Sequence, residues 1–433
     1  MNFKPTMRAD QGSRAAYLLT LLGVVVYLTM SPALLTALGI PYEMSYGSFV
    51  FKLHPGTYLL SLALMLALIQ EGNPLTALVR RMRDMPLLSV YLLSVVLIFG
   101  YSILRYGPSG AAFFIDTLMA PVVIVLIMSR FDEMQLRTCH RLILSLVILN
   151  GVIGMIELTF KHHLVPYLVA GVLVGEDEFR ATALLGHPLE DALVTSIVLF
   201  ASLDLRMSTI WRLALCGFFM LALLAFGGRT SFVLSVLILL IYGSAVTLRG
   251  LLAGCYGYLQ IVGSLVVGLL AVPAIIAVVG ATGLGARIFD KLYIDDSASV
   301  RFRIFDVFDY LDTYGVLFGI SPADIQAISG RMGLDPHFNA IENFWLYMLL
   351  QLGVFGFAVF TIGLLCGLLF LYRRVGVGGR WALLIFLITA STSNSLASKT
   401  SLLTILFAVL FSSAGFGAVT SIQSANARRG TGA

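Results

Sequence analysis

Ile341–Tyr372 reads IENFWLYMLLQLGVFGFAVFTIGLLCGLLFLY. Its one charge, Glu342, stands at the start, and the remainder is apolar or small. As a helix, such a run is long enough to cross roughly 30 Å of hydrocarbon. A spanning segment must satisfy its own backbone hydrogen bonds, and a helix does so within one segment. A membrane β-barrel would instead show short segments of alternating polarity. Immediately before this run lies Gly283–Ala340, the longest polar break in the chain. It contains Arg287, Arg301, Arg303, Arg331 and His337.

Working outward, the composition agrees. The 433 residues are 59% hydrophobic and 12% charged, with mean hydropathy +0.94. Soluble domains carry about 25% charged residues, so a soluble fold is excluded. The expected fold is all-α and polytopic, with about twelve transmembrane helices. Apolar runs centre within 15–40, 55–70, 87–104, 111–129, 141–160, 190–205, 211–227, 230–248, 256–282, 341–372, 380–394 and 400–420. The first run is too long for a signal-peptide core and is expected to be the first span. Residues 1–421 form a single transmembrane domain in this reading. Its large outer loops cover 161–189 and 283–340, and a disordered tail covers 422–433.

Charge sets the orientation. With the N-terminus inside, seventeen of the 28 Lys and Arg fall on the cytoplasmic side, in nearly every short inner connection. That is the positive-inside pattern. It predicts an even number of spans, cytoplasmic termini and a bacterial-type inner membrane. The basic residues form no concentrated patch, so nucleic acid is not an expected partner. Four cysteines, Cys139, Cys216, Cys255 and Cys366, fall in inner loops or spans, and no disulfide is expected.

The outer arginines run against the topological bias. Arg180, Arg229, Arg301 and Arg303 lie near span ends, where a guanidinium can snorkel to a headgroup or grip a phosphate in a bidentate way. Arg180 follows Glu176, Asp177 and Glu178, which offer a local ion pair. The apolar VPYLVAGVLVG before them suits a re-entrant or interfacial segment. Arg229 falls in a tight FGGRTSF turn, where Thr230 or Ser231 is expected to cap the next helix. Val300–Tyr314 carries an apolar stripe at helical spacing, with Ser299 as a cap and Arg301 and Arg303 on its flanks. His187 leads into the sixth run and reads as a polar cap or a site residue. His337 and Glu342 are the candidate bases, with Asn343 beside them. Asp116 and Glu157 are carboxylates within spans, each a functional candidate or a holder for an outer arginine. Asp295 and Asp296 are read as a solvated loop, and no metal or other cofactor is expected.

Several stretches, in this order, resemble the O-antigen ligase and polysaccharide polymerase superfamily. They are FRATALLGHP (Phe179–Pro188), GGRTS (Gly227–Ser231), SASVRFRIF (Ser297–Phe305), YGVLFGIS (Tyr314–Ser321) and ENFWLYMLLQLGVFGF (Glu342–Phe357). The resemblance implies a helical membrane fold of the C-type glycosyltransferase kind. It implies metal-independent, inverting transfer of a glycan from undecaprenyl pyrophosphate at the periplasmic face. Arg180, Arg229 and Arg301 look like the family's pyrophosphate-holding arginines, with Arg303 beside them. Ligases of the family carry His-Asn where this chain has Glu342-Asn343, which turns the expectation toward a polymerase of lipid-linked repeat units. A ligase acting on another acceptor is the alternative. A lipid or polysaccharide transporter is the reading from a different class, although no matched halves are visible. Implied partners are the undecaprenyl-pyrophosphate-linked oligosaccharide, membrane lipid, and a chain-length regulator or export machinery.

Overall fold

The computed structural model describes residues 11–44, 48–107, 110–169, 172–173, 179–253, 304–333, 341, 343–392, 396 and 399–414. Helices dominate them. In chain order they are α1 (Gln11–Thr29), α2 (Pro32–Ala37), α3 (Pro55–Gln70), α4 (Pro74–Asp84), α5 (Pro86–Tyr106), α6 (Ala111–Met128) and α7 (Glu133–Phe160). Then come α8 (Pro188–Ser202), α9 (Thr209–Phe226), α10 (Arg229–Leu252), α11 (Thr313–Phe318), α12 (Pro322–Arg331), α13 (Phe344–Tyr372), α14 (Val377–Ala390) and α15 (Leu402–Ala414). The protein is an all-α, multi-pass membrane protein. Six of the described helices are long and apolar enough to cross a bilayer, and seven if the bent pair α3–α4 is one span. Helix coincides with eleven of the twelve apolar runs; residues 256–282 lie outside the described set.

Two features of the sequence reading are corrected, and one is given its form. The stripe expected as one helix over Val300–Tyr314 is a 3₁₀ turn at Ile304–Tyr310 followed by α11. Asp312 ends the first piece by capping the second, its Oδ1 accepting from Gly315 N at 2.7 Å. The apolar stretch after α7 pairs with itself: Leu168–Val169 is antiparallel to Val172–Leu173. Its backbone groups are thus partly satisfied by a short hairpin, a form the expectation of a re-entrant or interfacial segment left open. Cys139 lies buried within α7, not in a loop.

Helix packing here lacks the drive that water supplies to soluble cores, so close approach of small residues matters more. A Cβ on Gly154 would strike the Phe226 ring, and one on Gly367 would lie 3.2 Å from Tyr91 and Phe407. These contacts draw α7 onto α9, and α13 onto α5 and α15.

Helix α13 is not straight. Gly353 has φ +66 and ψ 175, outside helical space. The rings of Phe344 and Phe360 are 5.8 Å apart. Sixteen residues of unbroken helix would separate their backbones by about 24 Å. The chain therefore turns back at Gly353. Residues 344–352 form a short arm, and residues 354–372 form the spanning leg.

The end of the bundle that charge assigns to the cytoplasm is tied by Arg81. It donates to Glu71 Oε1 at 2.8 Å and to Leu126 O at 2.7 Å, although only 2% of its side chain is exposed. Arg130 Nε shares the same Glu71 oxygen at 3.1 Å. This triad fixes the 102° bend between α3 and α4. Nearby, Asp204 accepts from Gly378 N and Gly379 N at 2.9 Å each, a carboxylate on the N-terminus of α14. Breaking a buried ion pair strands its partner. Arg81→Ala is expected to cost about 3 kcal/mol, measured as a fall in thermal unfolding temperature in detergent, whereas Arg83→Ala, on the exposed face of α4, leaves it within error.

Candidate functional site

The opposite end of the bundle holds a continuous buried polar cluster, centred on the first turn of α8. His187 caps this helix, with Pro188 at its first position and Nδ1 accepting from Leu189 N at 3.3 Å. Glu190 and Asp191 follow, both buried. Asp191 Oδ1 accepts from Asn150 Nδ2 at 2.7 Å, and Asn150 Oδ1 accepts from Leu184 N at 2.9 Å. Glu190 bonds Thr400 on the other flank. Two adjacent carboxylates thus link two neighbouring networks.

In the first network, Glu157 Oε1 accepts from Leu164 N at 2.7 Å. Its Oε2 accepts from Thr182 N and Ala183 N at 2.9 Å each. His163 Nδ1 lies 3.9 Å from Oε2. This carboxylate, 2% exposed, organises the segment that carries Arg180. Ala181 N donates to Ala225 O at 3.2 Å, so the Arg180 segment lies along the end of α9. Helix α9 stops at Gly227 in the left-handed region, φ +65, which glycine adopts without strain. A Cβ on Gly228 would collide with Ala192 of α8. Helix α10 then begins at Arg229 itself, without a side-chain cap, so the expected cap from Thr230 or Ser231 is not formed. The close approach to Ala192 places Gly228, not a hydroxyl residue, at the cap position.

The structure therefore gathers Arg180, His187 and Arg229 at one end of the bundle. Arg180 is half-buried and Arg229 exposed. Burial and the neighbouring positive charge of Arg180 lower the His187 pKa to about 4. Arg301, Arg303, His337 and Glu342 lie outside the described residues, as do Ser299 and the acidic trio Glu176–Glu178. Asn343 is described: it caps the short arm of α13, its Oδ1 accepting from Leu346 N at 3.1 Å. That is a helix-capping role.

The second network surrounds Asp116, which lies in a π-helical turn, Phe114–Met119. Such turns recur at functional positions. Asp116 Oδ1 accepts from Thr57 Oγ1 at 2.6 Å. Its Oδ2 accepts from Tyr42 OH at 3.0 Å and His54 N at 2.9 Å. The nearby cation is Lys399, not an arginine. Lys399 Nζ donates to Tyr42 O, lies 3.3 Å from Lys52 O and sits 4.1 Å from the centre of the Tyr42 ring. Burial lowers its pKa to about 8, against the pull of Asp116 and Glu43. Thr400 N donates to Thr117 Oγ1 at 3.2 Å, tying the start of α15 to the π turn.

Sequence reasoning singled out Asp116, Glu157 and His187 but missed Tyr42, His54, Asn150, Glu190, Asp191 and Lys399. Two signals were present. Glu190 and Asp191 open an apolar run directly after His187-Pro188. Lys399 is the one cation between the last two apolar runs. Compared with protein-family models and with curated proteins, the chain shows no significant match.

The two cap histidines make stability depend on pH. His54 Nδ1 accepts from Gly56 N at 3.1 Å, so its proton is on Nε2, which donates to Met30 O at 2.8 Å. Protonating Nδ1 would break the cap. Burial lowers the pKa of His54 to about 4, as at His187. Both folded values lie below the unfolded value near 6.5. The unfolded chain thus binds protons first on acidification. The stabilisation is complete above about pH 6.5 and is lost as pH falls toward 4, by about 1.4 kcal/mol per unit for each histidine. The histidine contribution is read as the difference between the wild type and His54→Asn in thermal unfolding temperature, measured in detergent across that interval. His54→Asn keeps a cap acceptor but does not titrate, and should flatten part of the loss.

Proposed function

We propose that this protein is a membrane glycosyltransferase. In this reading it joins undecaprenyl-pyrophosphate-linked oligosaccharide repeat units into O-antigen or exopolysaccharide. It works at the periplasmic face of a bacterial inner membrane, on a twelve-span scaffold with both termini in the cytoplasm. The observation that supports it best is the pairing of the Arg180 segment with the end of α9, through Ala181 N and Ala225 O at 3.2 Å. It brings two arginines from distant parts of the chain to one polar end of the bundle. Arg229 also stands at the first position of α10, where open N–H groups favour an anion.

The chemistry asks for little more. An acceptor hydroxyl oxygen attacks the anomeric carbon, and the bond from that carbon to the pyrophosphate oxygen breaks. The lipid pyrophosphate leaves with the electron pair, and the hydroxyl proton passes to a base. Arginines that are already oriented stabilise the developing negative charge without reorganising during the step. A planar guanidinium fits two phosphate oxygens at once. Arg301 and Arg303 join this set, and His337 or Glu342 takes the proton, by the resemblance of their sequence stretches.

Arg229→Ala and Arg180→Ala are each expected to reduce polymer in cells at least tenfold, with lipid-linked single repeats accumulating and protein level unchanged. The measurement is separation of lipid-linked glycans from a host supplying the repeat unit. Normal polymer in both variants would sink the proposal. Long lipid-linked chains left unattached would identify a ligase instead.

A further inference from the structure

The short arm of α13 is held from outside itself. In an unbroken helix, Leu350 O and Gln351 O would accept from amides one turn later. At the bend they are met by other parts of the chain. Ile320 N donates to Leu350 O at 2.8 Å, and Tyr106 OH donates to Gln351 O at 3.0 Å. Arg105 organises this clamp from the end of α5. Its Nε donates to Tyr106 OH at 2.9 Å, one terminal nitrogen to Tyr314 OH at 3.1 Å, and the other to Gly319 O at 2.8 Å. Its guanidinium also lies 4.8 Å from the centre of the Tyr314 ring. Tyr101 OH adds a bond to Phe318 O. Gly319 and Gly353 touch backbone to backbone, and a Cβ on either would collide with the other.

The tip of the arm lies well below the level of this clamp. Trp345 Nε1 donates to Ser391 Oγ at 3.0 Å, at the end of α14. Helix α14 has 14 residues, fewer than the roughly 20 that cross a bilayer. The tip packs beside Phe360, partway along the spanning leg, rather than at the level of Gly353. Its cap is Asn343, and the next residue toward the N-terminus is the candidate base Glu342.

We propose that Arg105 is a positioning residue for glycosyl transfer, setting the depth and direction of the arm 344–352 through Tyr106 and Gly319. This rests on the function proposed above. Three acceptors in three directions suit a rigid guanidinium fork, and a lysine ammonium cannot reproduce that arrangement. A small error in the placement of a reacting group is costly, on the order of a hundredfold in rate for 1 Å. Arg105 therefore acts on turnover more than on donor affinity.

The test uses the full chain in nanodiscs. Of its tryptophans, Trp211, Trp345 and Trp381, the first and last are changed to Phe, so that Trp345 reports on the arm. In Arg105→Gln, acrylamide quenching of Trp345 should rise about twofold and kcat on a lipid-linked repeat unit should fall about tenfold or more, with affinity for undecaprenyl pyrophosphate within about twofold. Arg105→Lys should lie between. Unchanged quenching overturns the claim about the arm. Altered quenching with unchanged kcat, or affinity that falls in step with kcat, overturns the positioning role. A protein with intact Arg105 that transfers nothing overturns the proposed function instead, and the quenching result still decides whether Arg105 holds the arm.

Discussion

A helix end buried within the protein must find its partners there, because no water reaches its open amides and carbonyls. This constraint organises the polar end of the bundle. Among the described helices that start there, four have a side chain folded back onto their own amides: Ser31 on α2, His54 on α3, His187 on α8 and Asn343 on the arm of α13. Asp116 takes the amide of His54, and Lys399 takes the carbonyl of Tyr42. The carbonyls released at Gly353 go to Ile320 and Tyr106. Asp116, Lys399, Ile320 and Tyr106 also tie together segments separate in sequence. Satisfying the ends and assembling the site are thus one process.

The same constraint explains how this region keeps charged groups. An isolated charge is expensive at low dielectric, whereas one with several hydrogen bonds and an opposite charge nearby is tolerated. Asp116 accepts three hydrogen bonds and has Lys399 nearby. Glu157 accepts three backbone amides. Asp191 is less completely served: Oδ1 is bonded to Asn150, but Oδ2 has no hydrogen-bond partner among the described residues. A buried acceptor left open is costly, and this one lies in the helical turn that His187 begins.

The fold was legible because its signals are local. Apolar length gave helix at α5, α7, α9 and α10, and arginine placement gave an orientation. The tight turn before Arg229 was also visible, since two glycines in sequence leave few other options. What escaped has long-range causes. The bend of α13 depends on Gly353 meeting Gly319, and nothing in LQLGVFGF separates a bending glycine from a packing one. The stripe over Val300–Tyr314 has helical period, yet Asp312 caps a new helix and divides it. Lys399 was visible only as an outer cation, because Tyr42 and Asp116 reach it from more than 280 residues away. Periodicity sees faces of single helices, whereas this site is built from their ends.

The two buried networks and the arginine face have different chemical characters. Glu157, Asn150 and Asp116 are engaged with backbone amides, hydroxyls or an amide side chain, so they shape the walls. Arg229 opens α10 directly after Gly228, whose backbone packs against Ala192, and its side chain is exposed. A helix start fixed by backbone packing keeps its place when an anion arrives or leaves. Such fixed placement suits the proposed charge stabilisation of a departing diphosphate. In the proposed function, the exposed Arg229 rather than the buried acids is therefore the group that meets the ligand.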